Sequence, residues 1–372
     1  MGSAAPVNAI GSARLLRNEG RPDLAAALLE REGELANIKT AFMYLRLRVY
    51  LEDSAALQAA IQRLIECLPD QALISVDYLK LLCSHAQRAC LDETWLERLA
   101  AKSWKTAKQD PSVRLAGIAM NRRLDVRRRM AAEGAPAASL ITLGLNCMPW
   151  NVPCRWGLRR QADFIDLLTP FAHGSNTIAL VISALRDDFK DYCAEESLTW
   201  VTTKGGHQTP LRRDAQAFWN HNLGAYWVED GFARLRQLMA VKIGNFRAAC
   251  RREDAVFIMG KAIVDFPARP PVEFLETLNQ ALEPHTGQKR NRLILLNKQA
   301  ETASQHWVDD WTFIVNCPFP DASYVWFDDD TADTSEGLAF EQSYITAIMH
   351  ALSGWGLTTA APASSAALSV PA

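Results

Sequence analysis

The sequence is poor in the features that mark most specialised protein classes. It has no continuous apolar run of about 18 residues, the length a membrane-crossing helix needs, so no membrane span is expected. It has no excess of either charge: 40 Lys and Arg stand against 42 Asp and Glu, a net charge of -2 at pH 7. A balance this even gives no reason to expect nucleic acid or an anionic membrane as partner. None of the eight cysteines forms a CxxC pair. Cys83 and Cys90, and Cys147 and Cys154, are seven apart, which is not a zinc-knuckle spacing. The opening MGSAAPVNAIGSARLL lacks the charged start and unbroken apolar segment of a secretory signal, and Pro6 spoils the myristoylation pattern that Gly2 would begin. These absences lead to the expectation of a cytoplasmic protein with reduced thiols, no cofactor and no metal centre.

What is present is an ordinary globular composition. At 372 residues, 49% hydrophobic and 22% charged, the chain is long for one core, and two domains are expected. Over 1–135 the pattern is helical throughout. Leu45, Val49, Leu57, Ile61, Leu64, Ile65 and Leu68 recur at steps of three and four. Pro22, Pro69 and Pro111, spaced 40-odd residues apart, each suit a helix start. The spacing is near that of tetratricopeptide or HEAT arrays, and a plain helical bundle fits equally. Either form is a packing module or a docking surface for a protein partner. The run RRLDVRRR (122–129) reads as a solvated helix face, with a phosphate-binding patch as the lesser reading.

From 136 to 356 apolar segments the length of strands alternate with helices. SLITLGL, LTWVTT, AVFIMGKA, NRLILLN, WTFIVNC and YVWFDD read as strands. Helices are expected over 177–192, 231–252, PVEFLETLNQAL and 338–352. The alternation predicts an α/β domain of three layers around a mainly parallel sheet, with ligands at the carboxyl ends of the strands. Residues 357–372, rich in Ala, Ser and Pro, read as a disordered tail.

The loop after the first strand, LGLNCMPWNVPCRWGLRR, is where chemistry is expected. Gly144 allows an unusual turn, and Cys147 then sits where the chain leaves the sheet for a helix. A thiol at a helix N-terminus loses its proton more easily, and the thiolate is the nucleophile. Asn146 could add a side-chain donor for an oxyanion. Pro149 and Pro153 suit only a first turn, so a helix start near Val152 is expected.

The segment LITLGLNCMPWNVPCRWGLRRQADFIDLLTP resembles the opening of an uncharacterised bacterial family described as papain-like cysteine peptidases. Leu143, Gly144, Asn146 and Cys147 match its Leu-Gly-x-Asn-Cys block, and Gly157, Leu158 and Arg159 its following turn. Phe164 to Leu167 stand for its Phe-Asp-Trp element. Asp188, Phe189 and Tyr192 match a later helix end, and FWNHNLG (218–224) its aromatic-His segment. The likeness spans roughly 139–320. It implies a cysteine hydrolase or acyl-transfer enzyme with Cys147 as nucleophile and His221, flanked by Asn220 and Asn222, as base. His173 and His207 are the next histidines to consider, and Asp166 could orient an imidazole.

Two other readings compete. Asp328, Asp329 and Asp330 end an apolar segment, as in metal-dependent glycosyltransferases, where such carboxylates hold a cation on a diphosphate. Several of the 11 tryptophans lie in the second half and could stack on a glycan, as an alternative to a peptide substrate. A non-catalytic helical scaffold is the third reading.

Overall fold

The computed structural model describes residues 9–31, 38–68, 75–107, 109–260, 271–298, 302–321 and 323–359. Seven helices come first: α1 (Ala9–Asn18), α2 (Pro22–Arg31), α3 (Ile38–Tyr50), α4 (Ser54–Cys67), α5 (Val76–Arg88), α6 (Glu93–Ala107) and α7 (Pro111–Glu133). The described residues of this segment contain no strand. Pro22 and Pro111 open α2 and α7; Pro69 lies outside the described residues. Asp53 and Asp110 cap α4 and α7 by accepting hydrogen bonds from the first free N–H groups.

The rest of the chain runs β1 (Ser139–Thr142), α8 (Met148–Arg155), α9 (Asp163–Asp166), β2 (Ser175–Asn176), α10 (Ile178–Arg186), β3 (Leu198–Thr202), β4 (Gln208–Arg212), β5 (Ala217–Phe218), α11 (Ala225–Val228), α12 (Ala233–Cys250), β6 (Ala255–Gly260), α13 (Val272–Thr286), β7 (Leu293–Asn297), β8 (Ser304–Trp307), β9 (Thr312–Asn316), α14 (Asp329–Ala332) and α15 (Ser335–Gly354). Five strands form the main sheet in the order β1-β6-β7-β9-β8. β1, β6, β7 and β9 are parallel, and β8 closes one edge antiparallel to β9. Both faces are covered. Leu140, Val256, Ile258, Leu296 and Val315 pack with Met148 and Val152 of α8 and Tyr344 and Ile348 of α15. Ile141, Phe257, Met259, Leu295 and Ile314 pack with Phe246 of α12 and Leu278 of α13. This is the expected three-layer α/β domain, preceded by helices.

Three expectations are corrected. LTWVTT is a strand, β3, but it belongs to a second, antiparallel sheet of order β2-β5-β4-β3. Residues 198–212 fold back on themselves as a hairpin, so β3 finds its partner locally and never reaches the main sheet. YVWFDD forms turns, not a strand. The Thr331 hydroxyl both donates to the Val325 carbonyl and accepts from its N–H, and Asp328 is spent capping α14. The arginine run is a solvated face only in part: Arg122, Arg128 and Arg129 are exposed, but Arg123 and Arg127, one helical turn apart, are 1% and 4% exposed. Arg123 meets Asp333 at 2.8 Å and Glu341 at 3.3 Å. Arg127 donates to the carbonyls of Cys154 (2.8 Å) and Arg155 (3.0 Å), where α8 ends.

Candidate active site

β1 ends in a turn that no regular strand-to-helix passage would make. Gly144 and Leu145 both take left-handed backbone angles, φ 83° and 71°. The first suits glycine, and the second strains a leucine. Asn146 then turns its side-chain oxygen onto the Met148 N–H (3.0 Å), so that oxygen acts as a local cap. Cys147 is the N-cap of α8, which begins at Met148 rather than near Val152. Pro153 is tolerated inside this helix for a specific reason. Its missing N–H would have bonded the Pro149 carbonyl, and the Arg159 guanidinium donates there instead, at 3.3 Å.

The Cys147 Sγ lies 3.2 Å from Nε2 of His221. His221 follows β5 in the loop that leaves the small sheet, so the two residues come from different sheets and 74 positions apart. Burial pushes the Cys147 thiol up. The hydrogen bond and charge of His221, together with the N–H groups of Gly174 and of Cys147 itself, outweigh it and leave the thiol below its ordinary value. Gly174 (φ 132°) brings its N–H there because it has no side chain; a Cβ would stand 3.1 Å from the Phe218 carbonyl oxygen. Cys147 is 3% exposed, in place of the partly open thiol that a loop at the sheet edge leads one to expect, while His221 is exposed.

Behind His221 stands a second histidine. His173 stacks on it with ring centroids 4.7 Å apart and planes 19° from parallel. Nδ1 of His173 faces Oε1 of Glu52 at 3.5 Å, and Oε2 of Glu52 meets Nζ of Lys242 at 2.5 Å. Glu52 comes from the turn between α3 and α4, at φ 51°. Its side chain is 5% exposed and that of Lys242 1%. Burial would push the Glu52 carboxyl up. The Lys242 ammonium, and then His173 and His221, hold it well below the usual carboxylate range. A buried anion therefore faces the histidine pair, and ligand atoms of Glu52, His173 and His221 all lie within 4.8 Å of one another. As stacked, the rings aim their in-plane lone pairs along nearly parallel planes, so a single ion can meet both only if one ring turns.

Lys298 follows β7 at the carboxyl end of the same sheet and is 7% exposed. Burial pushes its ammonium down to about 8, against the opposing pull of the Cys317 and Cys147 thiols. Asn222, beside His221, is 1% exposed and its Nδ2 has no partner.

Of the residues singled out in the sequence, Cys147, Asn146 and His221 come together, and His173 joins them. Asp166 does not: its carboxylate is exposed and turns toward Arg252 at 3.4 Å. Its envisaged place beside an imidazole is taken by Glu52, which no local pattern marks. The three aspartates of the acidic cluster point apart. Asp328 caps α14, Asp329 pairs with Arg88 at 2.7 Å and Asp330 with Lys80 at 2.6 Å. His207 lies in the β3–β4 hairpin. Comparison with protein-family models, with curated proteins and with solved structures finds no match for the chain.

Proposed function

We propose that the protein is a cysteine-dependent hydrolase or acyl-transfer enzyme, with Cys147 as nucleophile and His221 as its base. The observation that carries this is the 3.2 Å contact between Sγ and Nε2 in a setting that lowers the thiol. The likeness of the Leu143–Cys147 block to the papain-like family supports it independently.

The thiolate attacks the carbonyl carbon of an amide or ester, and the carbonyl oxygen becomes an oxyanion. In this reading the N–H groups of Gly174 and Cys147, which reach the sulfur in the free protein, turn to the oxyanion once the sulfur is bonded to carbon. The intermediate collapses with loss of the amine or alcohol, which takes the proton from His221, and a thioester remains on Cys147. Water, giving its proton to His221, or a second acceptor nucleophile then releases the acyl group and restores the thiol. Glu52, fixed by Lys242, offsets the charge that His221 gains, acting through His173. All eight cysteines are free, which suits a reducing compartment such as the cytoplasm.

The test is pre-steady-state acylation by p-nitrophenyl acetate. A burst of p-nitrophenolate close to one equivalent is expected, absent in Cys147→Ser, slowed in His221→Ala and unchanged by EDTA. A burst that survives Cys147→Ser removes the assignment. Activity lost to EDTA, restored by manganese and abolished by Asp330→Ala would favour the metal-dependent transferase.

A further inference from the structure

The net charge of -2 is not spread evenly over the surface. A cleft of about 1050 Å³ opens between α1, α3 and the loop after His221. Four cations, Arg14, Arg17, Lys39 and Arg46, line it against two carboxylates, Glu19 and Glu229. Among the described residues, Arg14, Arg17 and Arg46 have no carboxylate within ion-pair distance, and all three are exposed. Arg46 lies over the ring of Tyr78, 5.7 Å from its centroid, so the cleft has a flat wall as well as charge.

The cleft is tied to the thiol centre through the chain. Leu223, Gly224 and Ala225, immediately after His221 and Asn222, form one wall. Tyr50, two residues before Glu52, lines it too, and its hydroxyl packs against Gly224. Because Cys147 is covered while His221 is exposed, a substrate would reach the sulfur past His221, and the chain runs from His221 into the wall of this cleft within two residues.

Resting on the assignment of Cys147 as nucleophile, we infer that the cleft is the substrate-binding groove of that centre and takes an acidic peptide segment. The volume stands at the upper end of small-molecule sites, about 300–1,000 Å³. The unpaired cations are spread over two helices, Arg14 and Arg17 on α1 and Arg46 on α3. An extended peptide lying along the cleft would offer its carboxylates to both helices, and an amide substrate is what the thiol centre would act on.

The full chain carrying Cys147→Ser, which binds without turning over, is titrated with fluorescein-labelled (Ala-Glu)6, (Ala-Gln)6 and (Ala-Lys)6 by fluorescence anisotropy. The Glu peptide should bind at least tenfold more tightly than the Gln peptide, weaken as salt rises from 50 to 300 mM, and lose tenfold or more when Arg14, Arg17 and Arg46 are all changed to Gln. A version with the same three positions changed to Glu, checked for an unaltered melting temperature, should reverse the preference toward the Lys peptide. Equal binding of the Glu and Gln peptides, indifference to the Gln triple variant, or equally tight binding of polyphosphate of matched charge would overturn the substrate assignment. Reactivity of Cys147 toward iodoacetamide is read in parallel on the unaltered chain. A slow, ordinary thiol there would sink the enzyme reading and leave the peptide result standing. An activated thiol with indifferent peptide binding would sink the substrate class alone.

Discussion

At the scale of single residues, the site is a contest between desolvation and charge. Cys147 is covered, and covering a thiol normally keeps its proton on; Cys83 shows the unopposed case, pushed up to about 12. Cys147 goes the other way because an imidazole and two N–H groups reach its sulfur. Alkylation by iodoacetamide should separate the two. Cys67 is the exposed cysteine of the eight, so the measurement is made in a Cys67→Ser background. The rate at Cys147 should rise with pH and level off below the ordinary thiol range of about 8.5, and His221→Ala should move that rise upward. A rise that stays in place without the imidazole would mean that His221 is not what lowers the thiol. Glu52 offers a second measurement. Its folded pKa is depressed, so its contribution to stability is complete above the unfolded value of about 4.3 and is lost as pH falls below it. Glu52→Gln breaks its buried pair with Lys242 and should cost about 3 kcal/mol at pH 7, with the gap to the parent narrowing below about pH 4 in urea unfolding. A gap constant with pH would mean that the carboxylate charge is not what stabilises the pair.

At the scale of elements, α8 is the part that has to be held still, because Cys147 is its N-cap. Its eight residues include two prolines, and such a helix does not persist on its own. It is fixed from outside: Arg127 of α7 takes the last carbonyls, Arg159 takes the carbonyl that Pro153 cannot satisfy, and Arg155 and the Trp156 indole N–H both donate to Glu341 of α15. Arg123→Ala, which removes one cation from the buried Asp333 and Glu341, should cost about 3 kcal/mol in chemical denaturation. Arg127→Ala should cost less in stability yet slow acylation of Cys147, because it frees the end of α8 while leaving the carboxylate cluster paired. Equal effects of the two substitutions on acylation would remove the positioning role of Arg127.

At the scale of the whole molecule, the helices and the sheet domain share one core. A single apolar cluster runs from Ala13 and Leu45 through Leu82 to Ile141, Phe257 and Leu295. Calorimetry should therefore show one unfolding transition, and a fragment beginning at residue 136 should expose apolar surface, bind a hydrophobic dye and lack the Glu52 carboxylate; two separate transitions would contradict a shared core. Much of this architecture is legible in the sequence. The periodicity of three and four before residue 135 and the alternation of short apolar runs with helices after it specify the element types, because each element must hide its own apolar face whatever it packs against. The strand-to-helix loop around Cys147 is legible for the same local reason. The antiparallel hairpin, the loss of the YVWFDD strand and the inward turn of Arg123 and Arg127 are not, since each depends on which partner a segment meets. The site divides along the same line. Sequence by itself determined that residues 143–147 turn sharply out of the strand and carry a thiol, because Gly144 permits such backbone angles locally; that a helix begins at once at Met148, and not near Val152, rests on the tertiary contacts that hold α8. The family likeness pointed to His221, but only the tertiary structure decided that it would meet the thiol from a second sheet and that Glu52 from a helical turn would stand behind the histidine pair, because contacts between residues 74 or more positions apart follow from how whole elements pack.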